Sequence, residues 1–211
     1  MARTEAFDNN SSLYDNWFIE NKYAFLSELQ AVKSIFPKNK DGIEIGIGSG
    51  IFAEPLNITE GIDPSAAMRQ KAKQKGISVI NAVAENLPYK TESKDFALMI
   101  TSICFVDDIN KSFNEAKRVL KNGGDLIIGF VDKDSPIGKL YLKYKSGSQF
   151  YKEATFYGTE ELHELLTNNG FEVIETVQTI FGNLQDIKVE QETRKGYGKG
   201  SFVVIKAKKP F

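Results

Sequence analysis

Gly46, Gly48 and Gly50 stand two positions apart at the end of the run GIEIGIGSG, and Asp63 follows 17 positions after the first of them. Glycines at that spacing let a backbone turn sharply after a strand and approach a ligand with no Cβ in the way. A carboxylate at the end of the next strand accepts hydrogen bonds from both hydroxyls of a ribose. Together they describe a pocket for a nucleoside-bearing cofactor. A dinucleotide loop needs G-x-G-x-x-G. Here Ile51 follows Gly50, so the third glycine comes one position early, and Ser49 adds a hydroxyl inside the turn.

Other chemistry is sparse. One cysteine, Cys104, and one histidine, His163, exclude an internal disulfide framework, a Cys-rich metal site and a multi-His metal cluster, so no metal is expected. His163 lies in EELHELL beside Leu162, Leu165 and Leu166 and reads as a boundary residue. No Ser/His/Asp set, carboxylate pair or Tyr-x-x-x-Lys pair stands out.

The elements that must hold the glycine turn follow from periodicity. Tyr14, Phe18, Phe25, Leu29, Val32 and Phe36 fall at helical spacing, which predicts one amphipathic helix over 14–36, broken by Pro37. Strands are predicted over Gly42–Ile47, Ile58–Ile62, Ile77–Asn81, Asp95–Thr101, Asp125–Val131, Phe171–Ile180 and Ser201–Lys206. Helices fall between them: Ala66–Lys75 closed by Gly76, a stripe from Ile109 to Leu120 capped by Asp107 or Asp108, and TEELHELLTNNG with Thr159 as cap and Gly170 as stop. Pro55 keeps any helix after Gly50 short. This alternation predicts an α/β, Rossmann-like, mostly parallel sheet with helices on both faces, ending in an antiparallel hairpin at one edge.

The 211 residues suit a single domain. Its expected parts are an N-terminal helical cap (1–37), a cofactor-binding core (38–131), a lid insertion (132–158), and a helix with the C-terminal hairpin (159–211). Hydrophobic content of 41% and charged content of 26% are ordinary for a globular chain. Lys plus Arg is 27 against 28 for Asp plus Glu, a net charge of −1, which argues against nucleic acid as the main partner. The opening MARTEAFDNNSS has no apolar core of a signal peptide, and no apolar run reaches membrane-spanning length, so a cytoplasmic protein without a membrane partner is expected.

The pattern Glu44-x-Gly46-x-Gly48-x-Gly50 resembles the first motif of the class I methyltransferases that use S-adenosylmethionine. The resemblance continues through GIDPS (61–65), AENLP (84–88), DFALMITSICFVDD (95–108), FNEAKRVLKNGGDLIIGF (113–130) and GYGKGSFVVIKAKK (196–209). It implies a seven-stranded sheet of order 3-2-1-4-5-7-6 with the last strand antiparallel. It further implies S-adenosylmethionine as cofactor and S-adenosylhomocysteine as product. Carried over, Glu44, Gly46, Gly48, Ser49 and Gly50 line the methionine and ribose part, and Asp63 holds the ribose hydroxyls. Pro64, Ser65, Ala84 and Glu85 flank the adenine, while Thr101 and Ser102 close the pocket beneath the sulfonium. The chain departs from the family pattern at Val83, where related sequences carry an Asp. Cys104 is preceded by Ile103 rather than the proline that accompanies a nucleophilic cysteine in pyrimidine methyltransferases, and TSIC replaces the Asn/Asp-Pro-Pro-Tyr of adenine and glutamine methylases.

What the resemblance implies is methyl transfer to an O or N atom of a small molecule by in-line displacement, achieved mainly by alignment and exclusion of water. Tyr14, Trp17, Phe18 and Tyr144 are the expected acceptor contacts, because aromatic walls suit a small flat or cationic molecule. Two other classes compete: a non-catalytic domain that binds the nucleoside cofactor or scaffolds a partner, and a nicotinamide oxidoreductase, which the glycine spacing disfavours.

Overall fold

The computed structural model describes residues 4–38 and 40–211; the expectations that touch residues 1–3 and 39 lie outside the described residues. Two helices open the chain, α1 (Glu5–Glu20) and α2 (Lys22–Ile35). The single helix expected over 14–36 is therefore two. The break is Asn21, whose backbone leaves the helical region (φ −108°, ψ 39°) and whose side-chain amide donates to the Trp17 carbonyl at 2.9 Å. Asparagine bonding to its own backbone competes with the helical ladder in this way. A second departure, at Asn10 (φ −133°), kinks α1 in its first half, and the Asn10 amide donates to Ala6 O.

The sheet is built from β1 (Gly42–Ile45), β2 (Glu60–Ile62), β3 (Ser78–Ile80), β4 (Lys94–Ile100), β5 (Leu120–Val131), β6 (Glu172–Thr179), β7 (Arg194–Lys195) and β8 (Phe202–Lys208). The helices between them are α3 (Ala66–Gln74), α4 (Ile109–Val119), α5 (Pro136–Tyr144) and α6 (Thr159–Asn168). Strand order is β3-β2-β1-β4-β5-β8-β6-β7. The five strands from β3 to β5 run parallel, and β8 is antiparallel to both β5 and β6. This is the expected order with one addition. The two-residue β7 pairs outside β6, where Gly196 (φ 80°) and Gly198 (φ 88°) turn the chain back toward β8.

Burial explains why the central strands read as near-continuous apolar runs. Ile43, Ile45, Ala97, Met99, Leu126 and Ile128 pack on one face against Phe113 and Ala116 of α4 and Leu162 and Leu166 of α6. Leu98, Ile100, Ile127 and Val204 pack on the other against Ala31, Val32 and Ile35 of α2 and against Ala72 of α3. A strand covered on both faces has no polar side to display.

Local signals set the ends. Asp108 caps α4 by accepting from Lys111 N at 3.0 Å, and Ser65 caps α3 by accepting from Met68 N at 3.2 Å. The α6 start differs from expectation. Gly158 is the cap, with Glu161 reaching back to its N–H at 3.3 Å, while Thr159 donates its hydroxyl to Asp132 at 2.5 Å. After Gly50 the chain makes only a turn of 3-10 helix at Glu54–Leu56, with Pro55 inside it and Asn57 in the left-handed region (φ 56°). Between β1 and β2, a segment that could hold a full helix holds a single turn instead.

Candidate active site

One cavity of about 750 Å³ lies over the carboxyl ends of β1, β2, β4 and β5. Its floor is the glycine turn. Gly46, Gly48 and Gly50 all have positive φ (72°, 56° and 75°), a region that L side chains enter only with strain. Their surroundings differ. A Cβ on Gly46 would meet Ser102 Cβ at 2.5 Å, and one on Gly50 would meet Ile77 Cδ1 at 2.6 Å. A Cβ on Gly48 would have Tyr14 as its nearest neighbour, at 3.7 Å from the phenol oxygen. Gly48 is thus the glycine whose bareness faces the cavity, while the other two are packed against protein.

Asp63 forms the next wall. Its Oδ2 accepts from Gly48 N and its Oδ1 from Ser65 N, both at 2.8 Å, so the carboxylate ties the glycine turn to the end of β2 and keeps one lone pair free on each oxygen. Burial raises its pKa to about 6, against the lowering effect of those two N–H donors. Ile62, Met68, Val83, Ala84 and Met99 add an apolar slot to the cavity lining. Glu44 Oε2 and Ser49 Oγ are buried without a hydrogen-bond partner. A bare glycine floor, a half-used carboxylate and an apolar slot fit a nucleoside whose ribose faces Asp63.

Most residues expected at the cofactor meet here: Gly46, Gly48, Asp63, Pro64, Ser65, Ala84, Glu85, Thr101 and Ser102 all line the cavity. Glu44, Ser49 and Gly50 lie beneath the turn instead, and Gly50 is spent on packing against Ile77 and Ala72. Glu85 also accepts from Asp107 N at 2.6 Å and Asp108 N at 3.0 Å, which stabilises the start of α4. Thr101 ends β4 in the left-handed region (φ 51°), and Ser102 donates to Ile45 O at 2.8 Å, locking β4 to β1 directly under the site.

The roof comes from α1 and from residues 149–156. Asp8 accepts from Ser65 Oγ at 2.6 Å, and Asp15 pairs with Lys71 at 2.7 Å, so α1 is fastened across α3. Phe7 packs on Phe105 and Phe150 with centroids 5.0 and 5.4 Å apart, and Tyr14 on Phe18 at 5.1 Å. Gln149 donates to Asn10 Oδ1 at 2.5 Å, so the kink in α1 receives the facing segment. Tyr14, Trp17 and Phe18 line the cavity as expected acceptor contacts. Tyr14 stands above Gly48, and burial, reinforced by Glu44 and Asp63, holds its phenol protonated. Tyr144 does not join them. It ends α5, is 60% exposed and stacks under Lys143. Tyr141, one turn earlier, and Tyr151 take the place expected of it.

Glu28 was hidden in the apolar pattern of α2. It lines the cavity at 6% exposure, and burial alone pushes its carboxyl up to about 8. Its signal in the sequence is a carboxylate one turn from both Ala24 and Val32, inside the stripe that faces the core. Cys104 is buried, donates to Thr101 O at 3.3 Å and has its thiol pushed up to about 12, so it is not a nucleophile at neutral pH. His163 bonds Thr176 Oγ1 at 2.9 Å on α6, away from the cavity.

The Asp63 carboxyl predicts opposite pH trends for binding and for folding. As pH falls through about 6 it protonates and can no longer accept both ribose hydroxyls, so affinity for S-adenosylhomocysteine should fall, by up to about tenfold at pH 5. Because its folded pKa lies above the unfolded 3.8, the same proton strengthens the fold over that interval, and this contribution is lost as pH rises through about 6. Calorimetric titration and thermal melts at pH 5, 6 and 7.5 read both. Parallel trends would remove Asp63 as their source.

Residues 43–128 match a family model described as a methyltransferase domain. A crystal structure from Thermotoga maritima, of a SAM-dependent methyltransferase and possible histamine N-methyltransferase, superposes with a TM-score of 0.95 at 47% identity, covering 98% of this chain and 99% of that one. An uncharacterized protein of Methanocaldococcus jannaschii is 45% identical over 96% of this chain and 98% of its own length. A ubiquinone/menaquinone biosynthesis C-methyltransferase of Campylobacter jejuni is 32% identical over 67% of this chain and 70% of its own.

Proposed function

Because the chain belongs to the class I S-adenosylmethionine-dependent methyltransferases, we propose that it transfers the methyl group to an N or O atom of a small molecule held under the aromatic roof. The observation that carries this reading is the continuity of the cavity. It runs without a wall from the Asp63 carboxylate to Tyr141 and Tyr151, and its 750 Å³ sits in the upper part of the range of roughly 300–1,000 Å³ that small-ligand sites occupy. This continuity supports a nucleoside half and an acceptor half within one cavity.

When bound, S-adenosylmethionine supplies a methyl carbon already activated by its sulfonium. The chain's own residues bind, orient and dry the site. Asp63 and the floor at Gly48 fix the nucleoside. Tyr14 overhangs that floor. Phe7, Phe105 and Phe150 close the roof, which excludes the water that would compete with the acceptor. No general base is required if the acceptor is a neutral amine.

The Thermotoga likeness, spanning nearly the whole of both chains, favours nitrogen and a molecule of the size of histamine. The Campylobacter relative supports a second reading, carbon methylation of a phenolic ring. Incubation with methyl-labelled S-adenosylmethionine and a panel of histamine, phenethylamine, a catechol and a reduced menaquinone analogue separates them. Label on a nitrogen or oxygen is the expected outcome. Label on a ring carbon would replace it with the second reading, and S-adenosylmethionine binding without turnover on any acceptor would leave only a binding domain.

A further inference from the structure

Among the described residues Glu28 is a buried charged group of the cavity wall that the fold itself does not use. Six carboxylates line the cavity against a single lysine, Lys111. Asp63, Glu85 and Asp108 already accept backbone N–H groups. Glu20 is exposed at the end of α1, and Asp107 is exposed at the mouth. Glu28 is enclosed, and among the described residues no hydrogen bond and no ion pair reaches it. Tyr141 on α5 and Tyr151 of the roof stand near it, since the charge of Glu28 raises the pKa of both tyrosines, and Phe18 on α1 lines the same cavity. Among the described residues no lysine or arginine pairs with it.

A desolvated carboxylate without a partner is unfavourable, and a fold carries one at a net loss of stability. Such a group has a reason to persist where a ligand brings the missing charge. The aromatic rings of Tyr141 and Tyr151 add a second preference for a cation. Strand order gives the place. Asp63 follows β2, while Tyr141 and Tyr151, which feel the charge of Glu28, stand beside Val131 of β5. Neighbouring strands lie about 4.8 Å apart, so the two carboxylates sit over opposite ends of the cavity. Asp63 is at the nucleoside end and Glu28 at the acceptor end.

We propose that Glu28 binds the ammonium group of a cationic small-amine acceptor, and that this ion pair, enclosed by Phe18, Tyr141 and Tyr151, sets the choice of substrate. The proposal rests on the methyltransferase reading and narrows it from small molecules in general to amines. A neutral quinol would leave the carboxyl protonated and without an ion pair, and an anion would be repelled by its ionised form.

The test uses the full chain loaded with S-adenosylhomocysteine. Calorimetric titrations with histamine and phenethylamine are compared with 4-(2-hydroxyethyl)imidazole and hydroquinone, for the wild type and for Glu28→Gln. The expected result is that at least one amine binds the wild type, that Glu28→Gln weakens it tenfold or more, and that affinity for S-adenosylhomocysteine stays within twofold. Failure of both amines to bind, equal amine binding in the variant, or equal binding of the uncharged compounds would overturn the proposal. Loss of S-adenosylhomocysteine binding by the wild type would instead sink the methyltransferase reading. A second readout needs no acceptor. At pH 9, where the carboxyl is ionised, Glu28→Gln and Glu28→Met should raise the melting temperature of the ligand-free protein. A fall in both, or failure of both to fold, would make Glu28 structural and overturn its role in binding.

Discussion

Asp63→Ala should weaken binding of S-adenosylmethionine and S-adenosylhomocysteine by about 1–3 kcal/mol, roughly 5- to 150-fold, in a protein that still folds. The estimate treats the lost contacts as charge-assisted hydrogen bonds to the two ribose hydroxyls. The geometry adds a second loss. Asp63 Oδ2 also receives Gly48 N, and Asp63 Oδ1 receives Ser65 N, so the alanine frees the glycine turn from the end of β2. Ser65 keeps its own cap on Met68 N and its bond to Asp8, so α3 and its clasp on α1 survive. Asp63→Asn separates the two losses. The amide retains one acceptor oxygen for the backbone and offers the ribose a donor where it needs an acceptor, so its affinity should lie near that of the alanine variant while its melting temperature stays near wild type. Wild-type affinity in a folded Asp63→Ala protein would mean that the carboxylate serves only the turn.

How much of this was legible in the chain depends on which force fixed each feature. The parallel sheet was readable because strands buried on both faces must be apolar throughout, as DFALMIT and DLIIGFV are. The glycine turn was readable because backbone conformations with positive φ leave few residue choices. The short connection after Gly50 was readable from Pro55 and from the few residues available. The division of the first helix was not, since Phe18 and Phe25 continue the apolar stripe across Asn21, and even the backbone bonds from Asn21 N to Trp17 O and from Phe25 N to Asn21 O continue while only the Asn21 dihedrals leave the helical region. The extra edge strand β7 escaped because two residues leave no period to detect.

The site divided along the same line. The residues expected at the nucleoside lie on a few short segments at strand ends, each of them punctuated by glycine, proline or an acid, and most of them line the cavity. The acceptor half is assembled from α1, α2, α5 and the segment around Phe150 and Tyr151, which are distant in the chain. Aromatic content singled out those segments but gave no direction to any one ring. Aromatic content alone points to Tyr144 as readily as to Tyr141, although three positions along a helix fall about 60° short of a full turn and that difference decides which one faces inward. Glu28 was concealed for a different reason. Periodicity reports which helix face is buried, and a single carboxylate on that face reads as a lapse in the pattern until its surroundings are known.

The two glycines of one turn should fail differently when each is given a methyl group. Gly46→Ala places an L-residue at φ 72° and drives its Cβ to 2.5 Å from Ser102 Cβ, an atom fixed next to the backbone and unable to swing aside. Left-handed backbone costs about 1–2 kcal/mol, and the overlap adds about 1–3 kcal/mol more, so the melting temperature should fall by roughly 5 °C or more and cofactor binding should go with it. Gly48→Ala meets the same backbone term at φ 56°, but its Cβ enters space bounded only by Tyr14 at 3.7 Å. Its melting temperature should fall by about 2–4 °C. The methyl group would nonetheless stand where the floor must let the cofactor approach, so affinity for S-adenosylhomocysteine should drop by more than about tenfold, the effect of roughly 1.4 kcal/mol of steric loss. Thermal melts and calorimetric titrations on both variants make the comparison. If Gly48→Ala binds S-adenosylhomocysteine as the wild type does, the cofactor does not lie on that floor, and the glycine spacing answers only to the packing of β1 against Ser102 and Ile77.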